Sequence, residues 1–554
     1  MADTKAFDAR LQMARNGKPA PWPASRPSIW LAVCVFTVLL ALLLLSHANN
    51  AGVHQQIMQV VSLLVFGLAL LSQRPQPLRA SEAEPHVTLG WLLFALALAL
   101  FTYAPVFSLG FVSDDFTYVV LAPQPVSQML WAQFTHGTFA AFFRPLGFAS
   151  FALDYRLWNQ WAPGWHVSSL CLHLIATATV FYLCRELRWS GESCGTTAAI
   201  FAVLPVSTEA VVWIAARFDL IAAVFMLWAL ILYLRARSQG SLLPYVGSLT
   251  CLALALMSKE IAYITPFGLI AVEALLAERR RWMAVLPFFA LAMAALAWRT
   301  HILGSLGGYA RLGETPGSHE LTLRSLQAVF VRAPSVLLFA INWNQPRVVF
   351  GCLLAAATAA LLIPVAFLPR RERVGVLAFA VTWCLFAALP AQSLLMIPPS
   401  LVNTRELYVS AAGAALLLGL LLARSSSRMW RRSWTVALLL CLIATTRHNL
   451  AAWTNGSNVG QEFLHELRQS QPEPAASTEF VVHDLPRWTE GGVYLLLNRA
   501  LSDSIGLAYG RQDLTARRAD EAPHPDVQHR IDVYWISDYR GKRRPLIRVG
   551  DASR

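Results

Sequence analysis

Long apolar stretches separated by short polar loops occupy most of the first 450 positions of the chain. A helix needs about 20 mostly apolar residues to cross the hydrocarbon core of a bilayer, and these stretches approach or reach that length. The pattern predicts an all-α polytopic membrane protein with about 13 transmembrane helices. The predicted spans are residues 29–47, 57–73, 88–108, 166–185, 195–209, 219–236, 243–258, 261–277, 282–298, 350–368, 374–391, 406–423 and 434–449.

Basic loops give this set of spans an orientation, because arginine and lysine favour the cytoplasmic side of a membrane. With the N-terminus inside, all of the strongly basic loops fall on that side. Leu326 to Ile341 is also apolar but contains Arg332 and Pro334, and counting it as a span would move one basic loop outside. We predict an interfacial or re-entrant helix there. The basic loops are 185–188, 235–237, 279–281, 370–373 and 424–432.

This orientation divides the chain into three predicted parts. Residues 1–28 form a cytoplasmic tail, residues 29–450 form the transmembrane domain with outer loops at 109–165 and 299–349, and residues 451–554 are extracytoplasmic. The last part is predicted to be a small α/β appendage, since a helical stretch precedes short β-like runs. The helical stretch is 460–469, and the β-like runs are 479–482, 492–496, 531–536 and 546–549.

Composition agrees with a membrane protein. The chain of 554 residues is 56% hydrophobic and 14% charged, whereas soluble domains carry about 25% charged residues. The net charge of +13 comes mostly from arginine in the loops, which indicates topology and lipid contact rather than nucleic-acid binding. The 8 cysteines lie in or beside apolar segments without disulfide or zinc spacing, so no structural metal is expected. The bias toward arginine over lysine suggests a GC-rich bacterial genome, and we expect a protein of the bacterial inner membrane.

Two adjacent acidic residues, Asp114 and Asp115, follow the predicted span 88–108. A carboxylate near a membrane costs free energy unless it is solvated or paired. At the rim of a water-accessible cavity, such a carboxylate can accept a proton from an acceptor hydroxyl. The alternative is that the two residues cap a short helix.

Further polar residues recur near the predicted outer face. Phe143-Arg144-Pro145-Leu146 precedes a helix with His166 and His173 on one face, where hydrogen bonding to a phosphate or to the acidic pair is more plausible than metal ligation. A turn then carries three charged residues that an internal ion pair would also explain. Lys259 and Glu260 follow, as either a phosphate-binding lysine or a surface pair. The remaining candidates for substrate binding are Glu209, Arg217, Asp219 and Arg405.

Together these motifs resemble one group of enzymes, the GT-C-fold glycosyltransferases, and specifically the membrane half of the transmembrane-and-tetratricopeptide O-mannosyltransferases and their bacterial relatives. The resemblance covers roughly residues 88–455 in the family order. It departs from the family where Leu204 and Ser207 stand in place of two histidines. The motifs are Phe143-Arg144-Pro145-Leu146, Pro163-Gly164-Trp165-His166 with His173, Pro205 to Asp219, Ser258-Lys259-Glu260 and Arg405 to Gly413.

The resemblance implies transfer of a sugar from a polyprenyl-phosphate carrier to an acceptor on the outer face, with Asp114 and Asp115 supplying the catalytic carboxylate. It implies three partners: the lipid-linked sugar, a protein or glycan acceptor, and the bilayer. No cofactor is expected, although a divalent metal is compatible with the chemistry. Lys259, Arg217 and Arg405 are candidates to offset charge on the departing phosphate. The alternatives are a flippase for lipid-linked sugars and a degenerate homologue that acts as a scaffold.

Overall fold

The computed structural model describes residues 85–137, 142–276, 280–304, 401–423, 428–489, 492–496, 499–524, 527–536 and 547–550, with isolated positions at 336–337, 340, 380, 382–383 and 397. The predicted N-terminal tail and the predicted spans 29–47, 57–73 and 350–368 lie outside the described residues. The predicted span 374–391 and the segment 326–341 are described only at isolated positions.

The described part of the chain is mainly helical. Its α-helices are α1 (Pro85–Tyr103), α2 (Asp115–Leu121), α3 (Val126–Thr135), α4 (Pro145–Trp158), α5 (Ala162–Glu186), α6 (Gly191–Ala202), α7 (Thr208–Val212), α8 (Arg217–Gln239), α9 (Leu242–Leu256), α10 (Thr265–Leu275), α11 (Leu286–Leu303), α12 (Tyr408–Ala423), α13 (Arg428–Ser470) and α14 (Arg499–Tyr509). Short 3₁₀ segments include Pro205–Ser207, Ile214–Ala216, Glu260–Ile264 and Thr404–Leu407.

Six helices within the described residues are long and apolar enough to cross a membrane. A seventh span arises if the bent pair Gly191–Ala202 and Pro205–Val212 counts as one, with a bend of 47°. Proline at position 205 explains the bend, because it has no N–H to continue the helix and its ring clashes with the preceding turn. The six are Thr88–Ser108, Ala162–Glu186, Ile214–Gln239, Trp282–Leu303, Thr404–Ala423 and Arg431–Ser470.

Helices α5 and α8 begin at the same end of the bundle. Near their first turns, Arg217 Nη2 donates to the Trp165 carbonyl oxygen at 2.9 Å. Near their last turns, Arg235 Nε lies 2.5 Å from the Glu186 carboxylate. We name the end with Trp165 and Arg217 the site end, and the end with Glu186 and Arg235 the arginine end.

The arginine end collects the described parts of four of the predicted basic loops. Glu273 accepts from Arg237 Nε at 2.5 Å and from the Arg281 backbone N–H at 2.6 Å. Glu192 lies 3.2 Å from Arg431. These loops therefore share one end of the bundle, as a common cytoplasmic side requires.

Helix α13 has 43 residues and is about 64 Å long at 1.5 Å per residue, which exceeds the bilayer core. The predicted boundary at residue 450 and the predicted helical stretch 460–469 both lie within this continuous helix. A hydrogen-bonded helix continues through a change in polarity, because its backbone bonds do not depend on which side chains face lipid.

A four-stranded sheet follows α13, in the order β2-β1-β3-β4. Strand β1 is parallel to both neighbours, and β3 is antiparallel to β4. Three predicted β-like runs coincide with strands, whereas 492–496 contributes an isolated bridge at Tyr494. The prediction missed β2, whose sequence Thr-Ala-Arg-Arg has little β-strand character. The strands are β1 (Thr478–His483), β2 (Thr515–Arg518), β3 (His529–Trp535) and β4 (Ile547–Gly550).

Candidate functional site

Asp115 fastens the start of α2 to the membrane domain. Its Oδ2 accepts the Val112 N–H at 3.0 Å, and its Oδ1 accepts the Ala215 N–H at 2.8 Å. The side chain is fully buried. Ser113 adopts φ of +49° in the tight bend before the helix, a conformation that a residue other than glycine seldom takes without compensation. The hydrogen bond from Val112 to Asp115 closes the bend, and the bond from Ala215 ties it to the membrane domain. Together these two bonds supply the compensation.

Asp114 differs from its neighbour in exposure. It is half-buried, and it occupies the position before the first residue of α2 without making a capping hydrogen bond from its side chain. Asp114 therefore does not cap the helix through its side chain, whereas Asp115 has a structural role at the start of the helix. Of the two carboxylates, Asp114 has the surface that an acceptor hydroxyl could approach.

The environment of Asp115 favours its neutral form. Burial raises the pKa of the Asp115 carboxyl from 3.8 to about 8, while the N–H groups of Val112 and Ala215 act in the opposite direction. Desolvation disfavours the charged form of a carboxyl group that water cannot reach. Asp115 is thus suited to hold structure rather than to remain an ionised base at neutral pH.

Arg217 pairs with a residue that the sequence did not single out. Its Nη1 lies 2.5 Å from Asp154 Oδ2, and its Nε lies 3.3 Å from the Ser169 hydroxyl oxygen. The predicted ion pair within the turn that carries Glu209, Arg217 and Asp219 is wrong, because each of the three has its charged partner on another element. Asp154 could have been noticed as an isolated acid in an apolar stretch.

Lys259 lies between two buried carboxylates. Its ammonium donates to Asp219 Oδ1 at 2.6 Å and to Glu406 Oε1 at 2.7 Å. Side-chain exposure is 6% for the lysine and 2% for Asp219. The alternative of a surface pair with Glu260 is therefore wrong. Glu406 was missed, although it directly follows the predicted residue Arg405 in the sequence.

Arg405 and Glu209 extend this chain of charges. Arg405 Nη1 donates to Glu209 Oε1 at 2.6 Å, while Glu209 also accepts the N–H of Asn403 and the Thr404 hydroxyl. The carboxylate thereby holds the loop before α12 against α7. Asn403, with φ of +71°, sits in the left-handed conformation that asparagine tolerates better than most residues.

Glu260 forms ion pairs with two arginines. Arg144 Nη2 donates to it at 2.7 Å and Arg299 Nη1 donates at 2.6 Å. Although burial opposes ionisation, these two cations hold the pKa of the Glu260 carboxyl well below its usual range. The Glu260 side chain keeps 29% of its surface exposed, while both arginines are buried. Arg299 was missed because it lies near the end of a predicted span.

His173 supports the kink in the bent helix pair. Its Nε2 lies 3.0 Å from the Ala202 carbonyl oxygen and its Nδ1 lies 2.7 Å from the Tyr408 hydroxyl. The kink at Pro205 leaves the Ala202 carbonyl without its helical hydrogen bond. With a proton on Nε2, the His173 ring donates to that carbonyl, and its Nδ1 accepts from the Tyr408 hydroxyl. Both ring nitrogens are therefore engaged away from the acidic pair.

His166 lies closer to the acidic residues. Its Nε2 is 3.4 Å from the Gly110 carbonyl oxygen, in the loop that leads to α2. The ring is buried and supports the backbone of that loop rather than either carboxylate. Among the described residues, no group of three or more histidine, cysteine or acidic side chains is arranged to hold a metal ion.

The described structure brings the sequence-predicted residues together at the site end. One chain of contacts runs from Glu209 through Arg405, Glu406 and Lys259 to Asp219, and another joins Arg144 to Glu260. Within these contacts each buried cation has a carboxylate partner. Asp114 and Glu260 are the half-buried acids among these residues, and the two arginines that contact Glu260 are themselves buried.

Comparison with known proteins supports the resemblance seen in the motifs. The chain is 33% identical over 200 residues to protein O-mannosyl-transferase Tmtc1 of Drosophila melanogaster, covering 33% of this chain and 22% of that protein. It is 34% identical over 159 residues to Tmtc2 of the same species, covering 26% and 16%, and 30% identical over 142 residues to human TMTC1, covering 24% and 16%. The resemblance to the O-mannosyltransferases is confirmed, over less than a quarter of these relatives' length. No protein-family model matches the chain.

Two solved structures are similar over most of this chain. The oligosaccharyltransferase of Archaeoglobus fulgidus, tethered with an acceptor peptide, aligns over 77% of this chain and 64% of its own, with a TM-score of 0.45 and 12% identity. ArnT of Cupriavidus metallidurans, bound to undecaprenyl phosphate, aligns over 80% of this chain and 93% of its own, with a TM-score of 0.43 and 12% identity.

Proposed function

We propose that this protein is a membrane glycosyltransferase that moves a sugar from a polyprenyl-phosphate carrier to an acceptor hydroxyl of a protein or envelope glycan or lipid. The proposal rests on the half-buried carboxylate of Asp114. Asp114 follows Phe111 to Ser113 and precedes Asp115, whose carboxylate is held by the Ala215 N–H at the site end of the bundle. The matches to protein O-mannosyl-transferases support it. We place the protein in a bacterial inner membrane, with the site end and the C-terminal region extracytoplasmic.

In the proposed reaction Asp114 acts as the general base. The acceptor oxygen attacks the anomeric carbon of the sugar, and its proton passes to the Asp114 carboxylate. The bond between the anomeric carbon and the phosphate oxygen breaks, and the polyprenyl phosphate leaves with that electron pair. Phosphate is a good leaving group, so the step needs no separate acid and no cofactor, while a divalent metal remains compatible with it. Asp115 positions Asp114 without touching the reacting atoms.

The cations stabilise the charge that develops on the leaving phosphate. Arg144 and Arg299 surround the partly exposed Glu260 and are the cations we assign nearest to the phosphate. Lys259, Arg217 and Arg405 act through their field rather than by direct contact, because each is bonded to a buried carboxylate. Electrostatic stabilisation of this kind is often the largest single contribution to catalysis.

A carrier for lipid-linked sugars is the second candidate. Transporters place their substrate-binding groups near the middle of the membrane, often on broken helices. The bent pair at Pro205 fits that description, but its kink carbonyl is bonded to His173. The buried cations Lys259 and Arg217 and their carboxylate partners lie at the site end rather than at the middle of the bundle, which favours the enzyme.

The test is sugar transfer by the purified protein in detergent, from a synthetic polyprenyl-phosphate sugar to a bulk acceptor. Asp114→Asn should lower the transfer rate by about 10²–10⁴-fold, because it removes the general base. Asp520→Asn is the matched control, since its side chain is 64% exposed in the C-terminal region and should leave the rate unchanged.

A carrier should form no product in detergent, where no membrane separates two sides. Absence of transfer by the unmodified protein with any polyprenyl donor, together with movement of lipid-linked sugar across liposomes, would establish the carrier instead. Full activity of Asp114→Asn would show that this carboxylate is not the base.

A further inference from the structure

The C-terminal region packs directly on the helix that begins with the acidic pair. Phe116 of α2 is buried in the same apolar cluster as Phe463 of α13 and Phe480 of β1. Leu507 of α14 contacts that cluster and also a second one, formed by α2, α4 and α8, that includes Val119. Helix α2 is therefore enclosed between the membrane domain on one side and the C-terminal region on the other.

Polar contacts hold the loop before α2 from the same direction. The Gly110 N–H donates to the Ser457 hydroxyl oxygen of α13 at 2.9 Å. A Cβ on Gly110 would lie 1.8 Å from the side-chain nitrogen of Gln461, so a larger residue at this position would require the Gln461 side chain to move. From the opposite side, in the membrane domain, the Trp213 indole donates to the Val112 carbonyl oxygen at 3.3 Å.

Helix α2 cannot hold its own position. It has 7 residues, and isolated helices shorter than about 12–15 residues are marginal in water. Asp115 ties its first turn to the membrane domain through the Ala215 N–H and to the preceding loop through the Val112 N–H, which leaves the orientation of the remaining turn to packing. That packing includes Leu507, which contacts both of the apolar clusters that bury α2.

We propose that the C-terminal region is a working part of the site, in which Leu507 and Ser457 are positioning residues that set the orientation of α2 and hence of Asp114. The proposal rests on the proposed function for its effect on rate, although its structural part can be measured without activity. A displacement of about 1 Å in a reacting group can cost about 10²-fold in rate, so loss of these contacts should reduce turnover more than folding.

The experiment compares two identical substitutions in α14. Leu507→Ala removes a side chain that contacts both of the clusters enclosing α2, whereas Leu501→Ala removes a fully buried side chain that belongs to the cluster of Phe116 alone. Leu507→Ala should lower kcat about tenfold, with the KM for the lipid-linked donor within about twofold. Leu501→Ala should lower the melting temperature more and change kcat by less than about twofold. Leu507→Met, which refills the volume, should restore kcat.

Amide hydrogen exchange gives a readout that needs no activity. Exchange over residues 111–121 should accelerate in Leu507→Ala and in Ser457→Ala, and should stay unchanged in Leu501→Ala. Unchanged exchange in both α2-facing variants would overturn the proposal whether or not the protein transfers sugar. Equal losses of kcat in Leu507→Ala and Leu501→Ala would also overturn it. Accelerated exchange in a protein without transferase activity would leave the positioning role in place and remove the proposed function.

Discussion

The two ends of the helical bundle use charged residues in opposite ways. At the site end, the Lys259–Asp219 and Arg217–Asp154 pairs have side-chain exposures of 6% and 2%, and of 1% and 4%. At the arginine end, the Arg235–Glu186 pair has exposures of 36% and 20% and the Arg431–Glu192 pair 24% and 22%, although Glu273 is buried against Arg237. Exposed pairs contribute about 0–1 kcal/mol, whereas losing one partner of a buried pair costs about 3–5 kcal/mol. The difference teaches that most charges of the arginine end remain in contact with solvent, while those of the site end are held in buried pairs that stabilise the fold.

The largest expected effect comes from breaking a buried pair. Lys259→Ala leaves Asp219 and Glu406 without their shared cation and should lower the free energy of unfolding by about 3–5 kcal/mol. Arg235→Ala, the matched change at the arginine end, should lower it by at most about 1 kcal/mol. Thermal unfolding in detergent measures both.

A rescue experiment shows whether charge is the cause. Combining Lys259→Ala with Asp219→Asn and Glu406→Gln should recover part of the lost stability, because no buried carboxylate is then left uncompensated. Equal effects of Lys259→Ala and Arg235→Ala would remove the distinction between the two ends.

The next effect is a pH dependence that originates at Asp115. Its pKa of about 8 in the folded protein exceeds the ordinary 3.8. The contribution of the neutral carboxyl to stability is therefore complete at low pH and is lost progressively as pH rises toward 8. Asp115→Asn cannot ionise, but its amide NH₂ meets a backbone N–H donor, so the variant should be less stable at pH 5.

The stability gap between the unmodified protein and Asp115→Asn should narrow by on the order of 2–4 kcal/mol between pH 5 and pH 8. Melting temperatures across that range, recorded for both proteins in the same detergent, measure the gap. A gap that stays constant or widens with pH would show that Asp115 is ionised throughout.

The smallest expected effect concerns the kink at Pro205. His173→Ala leaves the Ala202 carbonyl oxygen without its donor, and a buried unsatisfied polar group costs about 1–3 kcal/mol. His136→Ala is the control, because His136 is exposed at the end of α3 and its loss should change stability by less than about 0.5 kcal/mol. A His173→Ala protein with unchanged melting temperature but lost donor binding would instead return His173 to the phosphate-binding role expected from the sequence.

Local patterns were enough to predict much of the fold. Each predicted span between 88–108 and 282–298 corresponds to helical structure, but the α-helices at 243–258 and 261–277 have only 15 and 11 residues and are not among the candidate membrane spans. The end of α13 was misplaced, since hydropathy falls near residue 450 while the helix continues to Ser470. Hydropathy detects where a helix leaves lipid, and it does not detect where its backbone bonding ends.

The sequence alone determined which side chains were candidates for the site. Asp114, Lys259 and the other charged residues stand out because burying an ionisable group among apolar helices costs free energy. Only the tertiary structure decided how they are used. Lys259 meets Glu406 across 147 positions of sequence, and Asp115 meets the Ala215 N–H across 100. Such pairings depend on which helix ends pack together. The packing at that end buries the Asp115 carboxylate, which accepts two backbone hydrogen bonds, and leaves the Asp114 carboxylate half-buried.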